Sequence, residues 1–278
     1  MNKAEEAMPE MILTDDDLKE IKNLSESMNL ADSALCLTYG TAAQKKLVSV
    51  SDKLFRLAAD DDTAEIGVRM NELIRELRDF SSMQQCRGIF AWFFRKRDRK
   101  SLQKRYESAA ANTDAIAAGL EQHRNRLLRD FVMLGKLYDA VLEQYHELTI
   151  TVEAGQRKLD ADASAGKDLR ERFEKRLHDL RLSRMVCMQT LTQIRILQDC
   201  NTVLAEKIQS LLTNTLALWK NQTALALAVK DSGQAMEDLR KANGTMIGVL
   251  EDVCTAEKTA RDEAGVLKEH IGAEENNS

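Results

Sequence analysis

The sequence predicts an all-α protein, an elongated helical bundle built on a long antiparallel, coiled-coil-like helical hairpin. Three observations lead there. Proline occurs once in 278 residues, at Pro9, so nearly the whole chain lacks the residue that most strongly breaks a helix. Aromatics make up 5% of the chain, few for a core of large cross-strand pairs. Two long stripes of apolar and small residues recur at spacings of three and four, the signature of helices packed along one face.

The first stripe includes Tyr106, Ala110, Thr113, Ala117, Leu120, Leu127, Phe131, Leu134, Tyr138, Val141, Tyr145, Leu148, Val152 and Leu159, with Arg124 as a charged step and Gly155 as a helix-weakening one. The segment Asp160 to Lys167 reads as a turn. The second stripe includes Phe173, Leu177, Leu180, Cys187, Leu191, Ile194, Ala205, Ile208, Leu212, Trp219, Ala226 and Val229. Arg184, Gln198, Asn201, Thr215 and Gln222 interrupt it. Two stripes of similar length joined by a short turn suit an antiparallel hairpin. Each arm of roughly 60 residues would reach on the order of 90 Å. Polar seam residues fix register at a cost in stability, and such a seam suits closure of the hairpin on itself or pairing in a homo-oligomer.

Around the hairpin the expected organisation is a flexible tail over 1–13, an N-terminal helical region over 14–87, the hairpin core over 88–231, and a C-terminal helix and tail over 232–278. Thr14 before Asp15, Asp16 and Asp17 is a helix start, because the hydroxyl caps free amides and the acids suit the positive helix end. A helix is expected to about Met28, a second from Asp32 to Ala59, and a third from Thr63 to Phe80. Ser81 to Gly88 reads as a connector. A last helix is expected from Ser232 to Lys268, with a frayed end over 272–278.

Mixed charge with a net of −5 favours solubility over nucleic-acid affinity. Five widely spaced cysteines form no CxxC pair, which points to reduced, mostly buried thiols. The acidic, polar N-terminus has no secretory signal, and no apolar run approaches the roughly 20 residues of a membrane span. The expected location is cytoplasmic, with room for peripheral membrane association.

Several stretches resemble the toxic anion resistance (TelA-like, tellurite resistance) family. Tyr39-Gly40 with Ala43-Gln44 and Ser51-Asp52 is similar to its N-terminal pattern. Gly88-Ile89-Phe90-Ala91-Trp92-Phe93-Phe94 looks like its glycine-led aromatic segment. Leu128-Arg129-Asp130, Leu134, Leu137 and Tyr138, then Ala154-Gly155 with Lys158-Leu159, follow its pattern along the first arm. On the second arm the match runs from Phe173-Glu174-Lys175-Arg176-Leu177-His178-Asp179-Leu180 through Leu182-Ser183-Arg184, Gln189, Gln193-Ile194-Arg195 and Gln198. It then reaches Glu206-Lys207-Ile208-Gln209-Ser210 and Trp219-Lys220-Asn221-Gln222. The family often has a proline before this tryptophan, where Leu216-Ala217-Leu218 stands here. The resemblance implies a role in resistance to tellurite and other toxic anions. It implies no catalytic residues and no cofactor.

One constellation stands out as a contact surface. Trp92, Phe93 and Phe94 run into Arg95, Lys96, Arg97, Arg99 and Lys100. Aromatics beside cations suit a lipid interface, a protein partner, or phosphate-like anions; they also suit plain packing with solvated cations. Glu143 with His146 and Glu174 with His178 share helix faces, but one spacing is wrong for a carboxylate-bridged metal pair, so no metal ligand is assigned. Cys187 and Cys200 fit inert packing better than thiol chemistry. No phosphate loop or nucleophile elbow is present. The resulting expectation is a non-enzymatic interaction or scaffold protein with a protein partner. The alternative is a metal- or thiol-dependent handler of oxyanions.

Overall fold

The computed structural model describes residues 13–45, 49, 50, 53, 67, 68, 70–75, 77, 78, 98–162, 166–228 and 233–275. Among these residues every regular element is a helix and there is no strand, as the single proline and the long stripes require. The elements are α1 (Asp15–Ser27), α2 (Ser33–Thr38), α3 (Asp98–Ala161), α4 (Lys167–Ser210), a π-helical segment (Leu211–Thr215), α5 (Leu216–Ala228) and α6 (Gly233–Glu275). They are distributed over two compact units. The first gathers Met1–Ala59, Val132–Leu197 and Val266–Ser278; the second gathers Asp60–Phe131 and Gln198–Gly265.

In the first unit, α1 starts where its sequence says it should. The Thr14 hydroxyl accepts from the Asp17 amide at 3.2 Å, and the Asp17 carboxylate accepts from the Thr14 amide at 2.8 Å, a reciprocal capping box. The expected helix over 32–59 is interrupted. α2 stops at Thr38 because Gly40 adopts φ +69°, a conformation that ends a right-handed helix and that only glycine takes freely. Helix resumes over 41–45.

The turn between the hairpin arms falls between Ala161 and Lys167, as expected. Arg195 stacks on the Tyr138 ring at 4.0 Å, Arg184 pairs with Glu153 at 3.5 Å, and Arg181 donates to Gln156 at 2.5 Å. Numbers rise on α4 as they fall on α3, so the arms are antiparallel in this unit. Leu134, Tyr138, Val141, Leu148, Val152 and Leu159 of the first stripe are buried, as are Phe173, Leu177, Leu180, Cys187, Leu191 and Ile194 of the second.

The second unit packs Ile116, Leu120 and Leu127 of α3 against Leu204, Ile208 and Trp219, with Met246, Leu250 and Val253 of α6 and Met70, Leu73 and Leu77. Two positions on α3 are among the departures from the expected stripe. Phe131 is 42% exposed, and the inward position near Arg124 is taken by His123, at 5%. α6 continues to Glu275, past the expected end at Lys268 and into the stretch read as frayed.

The largest departure lies at residues 211–215. Asn201, Leu204, Ile208 and Leu211 face inward at spacings of three and four, and the next buried residues are Leu216, Trp219 and Thr223. An uninterrupted α-helix would have centred Thr215 and Gln222 on the core, as the sequence stripe suggested. Burying two polar side chains there is unfavourable. The π-helical segment inserts one extra residue, so Leu216 and Thr223 take those places, while Thr215 and Gln222 lie at the edge. The Trp219 indole then donates to Asn243 Oδ1 at 2.6 Å, and the Thr223 hydroxyl donates back to the Trp219 carbonyl at 2.7 Å.

This arrangement separates two leucines only two residues apart. Leu216→Ala is expected to destabilise the protein by about 2–5 kcal/mol. Leu218→Ala, at a site 48% exposed, should change stability by about 0.5 kcal/mol or less. Urea denaturation of both variants checks this, and equal losses would contradict the inserted residue.

Candidate functional site

The aromatic-basic junction read from the sequence falls largely outside the described residues. Trp92, Phe93, Phe94, Arg95, Lys96 and Arg97 all lie there. The backbone of Arg99 and Lys100 belongs to the first turns of α3, and their side chains also lie outside the described set.

The structure does bring together a different group. Tyr39, Gly40 and Gln44, quoted above as one stretch of the family pattern, meet Gly155 of α3 and Arg176, Leu177, Leu180 and Ser183 of α4. The sequence separates these residues by more than a hundred positions, so their meeting was not readable from spacing. The Tyr39 hydroxyl donates to the Thr151 carbonyl at 2.6 Å, and its ring lies 5.2 Å from that of Phe173. Burial pushes the phenol well above its ordinary range, so it remains a neutral donor. Arg176 uses its guanidinium as a fork: Nε donates to the Tyr39 carbonyl at 2.8 Å, and a terminal nitrogen donates to Gln44 Oε1 at 2.6 Å. Gln44 in turn donates from Nε2 to Ser183 Oγ at 3.0 Å. Charge-assisted bonds of this kind are stronger than neutral ones.

Two glycines let the backbone approach this closely. A Cβ at Gly40 would sit 2.6 Å from Leu180 Cδ2, and one at Gly155 would sit 2.5 Å from Leu177 Cδ2 and 3.0 Å from Tyr39 Cε1. Gly155 therefore does more than weaken a helix: its missing side chain is the space that Leu177 and Tyr39 fill.

The other sequence candidates resolve into structural contacts. His146 Nε2 lies 3.0 Å from Asp17 Oδ1, not against Glu143 or a second histidine. Thr14 hydrogen bonds, with His146 adding, hold the Asp17 carboxyl below its usual range. Glu174 and His178 are exposed, and the neighbouring Arg172 pairs with Asp168 at 3.1 Å. Among the described residues no three His, Cys, Asp or Glu side chains gather in a way that could hold a metal ion. Cys187 is fully buried. Burial, followed by the nearby Glu263 and Asp199, pushes the Cys200 thiol up, which disfavours the reactive thiolate.

One buried group stands apart from this network. His123 Nε2 finds no hydrogen-bond partner among the described residues. Burial, with Arg126 adding, holds the imidazole down to about 4.

Comparison with known proteins now adds to this geometry. The chain matches the profile of the family described as toxic anion resistance protein (TelA) over residues 21–165 and 160–269. It is 28% identical to the TelA-like protein SSP1345 of Staphylococcus saprophyticus, an alignment covering 84% of this chain and 70% of the relative. It is 30% identical to the uncharacterized protein Lmo1967 of Listeria monocytogenes, covering 88% and 69%. It is 28% identical to the uncharacterized protein YaaN of Bacillus subtilis, covering 84% and 68%. No solved structure matches.

Two outcomes follow from the geometry. Gly40→Ala forces an alanine to positive φ and should destabilise the first unit by about 1–3 kcal/mol. Arg176→Ala should cost about 1–3 kcal/mol through unmade, partly buried bonds, and Gly40→Ala and Arg176→Ala should be coupled by at least about 0.5 kcal/mol, whereas Arg172→Ala at the exposed Asp168 pair should be near neutral. Urea denaturation of the single and double variants reads all of these. Separately, the unfolded chain binds a proton at His123 near pH 6.5 while the folded chain resists it to about 4. Its contribution is therefore intact above pH 6.5 and is lost as pH falls toward 4, by up to ~3 kcal/mol. Stability measured from pH 7 to 4.5 should show this slope, and His123→Gln should flatten it.

Proposed function

Because this chain belongs to the toxic anion resistance (TelA) family, we propose that it is a non-catalytic helical interaction or scaffold protein that contributes to resistance to tellurite and related oxyanions. The observation that supports this reading is how the motif residues are used. Arg176 commits its guanidinium to Tyr39 and Gln44, Tyr39 commits its hydroxyl to a helical carbonyl, and Arg195 lies against Tyr138. Side chains occupied in holding helices together present surfaces; they are not poised over a substrate.

The surface assigned to partner contact is the run Trp92, Phe93, Phe94, Arg95, Lys96 and Arg97, extended by Arg99 and Lys100. Its chemistry fits a protein partner carrying acidic groups around an apolar pocket, with peripheral contact to an anionic membrane as the second use of the same cations. A cytoplasmic location belongs to the same proposal. Among the described residues no helix is long and apolar enough to cross a membrane.

Replacing Arg95, Lys96 and Arg97 together by Ala is expected to reduce partner capture in a crosslinked pull-down from tellurite-challenged cells and to lower flotation with anionic liposomes, while helicity and melting stay as in the wild type. Unchanged capture and unchanged flotation reject the surface. A stoichiometric metal in the purified protein, or tellurite reduction that stops when thiols are blocked, rejects the non-catalytic reading.

A further inference from the structure

We infer that α5 is a one-residue register switch, in which the extra residue held at Leu211–Thr215 passes along the helix and exchanges the side chains that α5 presents to the core of its unit. The inference is independent of the proposed function and rests on three features of the second unit.

The first is the π-helical segment itself. An extra residue in a helix is not tied to one place. It moves toward the C-terminus when each residue it passes advances to the place of the next one, a rotation of about 100° with a rise of about 1.5 Å. The backbone bonds on either side keep their number.

The second is the composition of α5. Its sequence, LALWKNQTALALA, has apolar residues around the whole circumference. In the observed register Leu216, Trp219 and Thr223 face the core, and Leu218 and Leu225 are left 48% and 49% exposed. These two leucines are seven residues apart and so lie on one face. Moving the extra residue past them places Leu218 where Trp219 now lies, and Thr215 and Gln222 where Leu216 and Thr223 now lie. The two registers thus trade one kind of burial for another. The observed one buries Leu216 and a hydrogen-bonded indole; the other covers Leu218 at the place of the indole but carries Thr215 and Gln222 inward.

The third is that the move breaks defined contacts. Trp219 leaves Asn243, to which it donates at 2.6 Å, and shifts to the place now held by Lys220. Lys220 then leaves its ion pair with Asp114 of α3. Because Asn243 is fully buried on α6, the exchange changes what links α5 to both α3 and α6. A change in the phase of α5 is in this way transmitted to its neighbours without any helix unfolding.

The test uses the full chain with Trp92→Phe, which leaves Trp219 as the sole tryptophan, labelled with 5-fluorotryptophan and followed by fluorine NMR. Two resonances are expected, a major one for the indole bonded to Asn243 and a minor one for the shifted register. Thr215→Leu with Gln222→Leu makes the alternative face apolar and should raise the minor resonance several-fold. Leu218→Gln with Leu225→Gln should abolish it. A chain lacking Thr213 has no extra residue to move, and it should keep the major resonance alone. If T215L/Q222L retains helicity and shows only the wild-type resonance, or if the deletion chain still shows two, the switch is overturned. Should T215L/Q222L fail to fold, the L218Q/L225Q and deletion chains decide the matter: loss of the minor resonance in both supports the switch, and its persistence in either rejects it.

Discussion

The backbone near Tyr39 and Gly40 lies against α4 more closely than two ordinary residues could, and the first unit depends on that approach. Leu177 and Leu180 stand in the space that side chains at Gly155 and Gly40 would need. Once the leucines are seated, the break between α2 and the following helical residues has one position available to it, and the Tyr39 carbonyl is turned toward Arg176. The hydrogen bonds do not create the close approach; they are what a buried backbone turn requires if its carbonyl is not to be left unpaired. Steric fit sets the geometry, and the charged fork makes it affordable.

The seams of both units carry polar residues that a purely hydrophobic helix pair would not need. Gln198 and Asn201 are buried, as are Thr190 and Asn243. Helices with uniform apolar faces can slide by a turn with little penalty, whereas a buried amide has favourable partners at few offsets. The Trp219–Asn243 bond and the stacking of Arg195 on Tyr138 act in this sense. They are modest individually, yet each is satisfied in one register and unsatisfied in its neighbours.

Much of this was legible in the sequence, for local reasons. The start of α1, the two stripes and the turn between Ala161 and Lys167 follow from capping chemistry and from periodicity, which a chain displays within a few residues. The features that escaped are those imposed from a distance. The interruption at Gly40 reflects a contact with Leu180, and nothing near residue 40 reveals it. The inward His123 and outward Phe131 reflect small drifts of a long helix relative to an ideal repeat. The extra residue after Ser210 cannot be seen in a stripe that continues plausibly through Thr215 and Gln222. For the candidate site the division is sharper. The residues of the Tyr39 and Arg176 group were each visible as pattern, but their association depends on tertiary structure. The aromatic-basic run from Trp92 to Lys100 is known by its chemistry alone.

The bond between Arg176 and the Tyr39 carbonyl joins residues 137 apart in the chain. A ribosome adding some 5–20 residues per second takes on the order of ten seconds to cover that distance. Through that interval Tyr39, buried in the finished protein, has been synthesised while Arg176 has not. The N-terminal segment therefore emerges well before the surface it belongs on, and it is the natural client of any chaperone that attends the nascent chain.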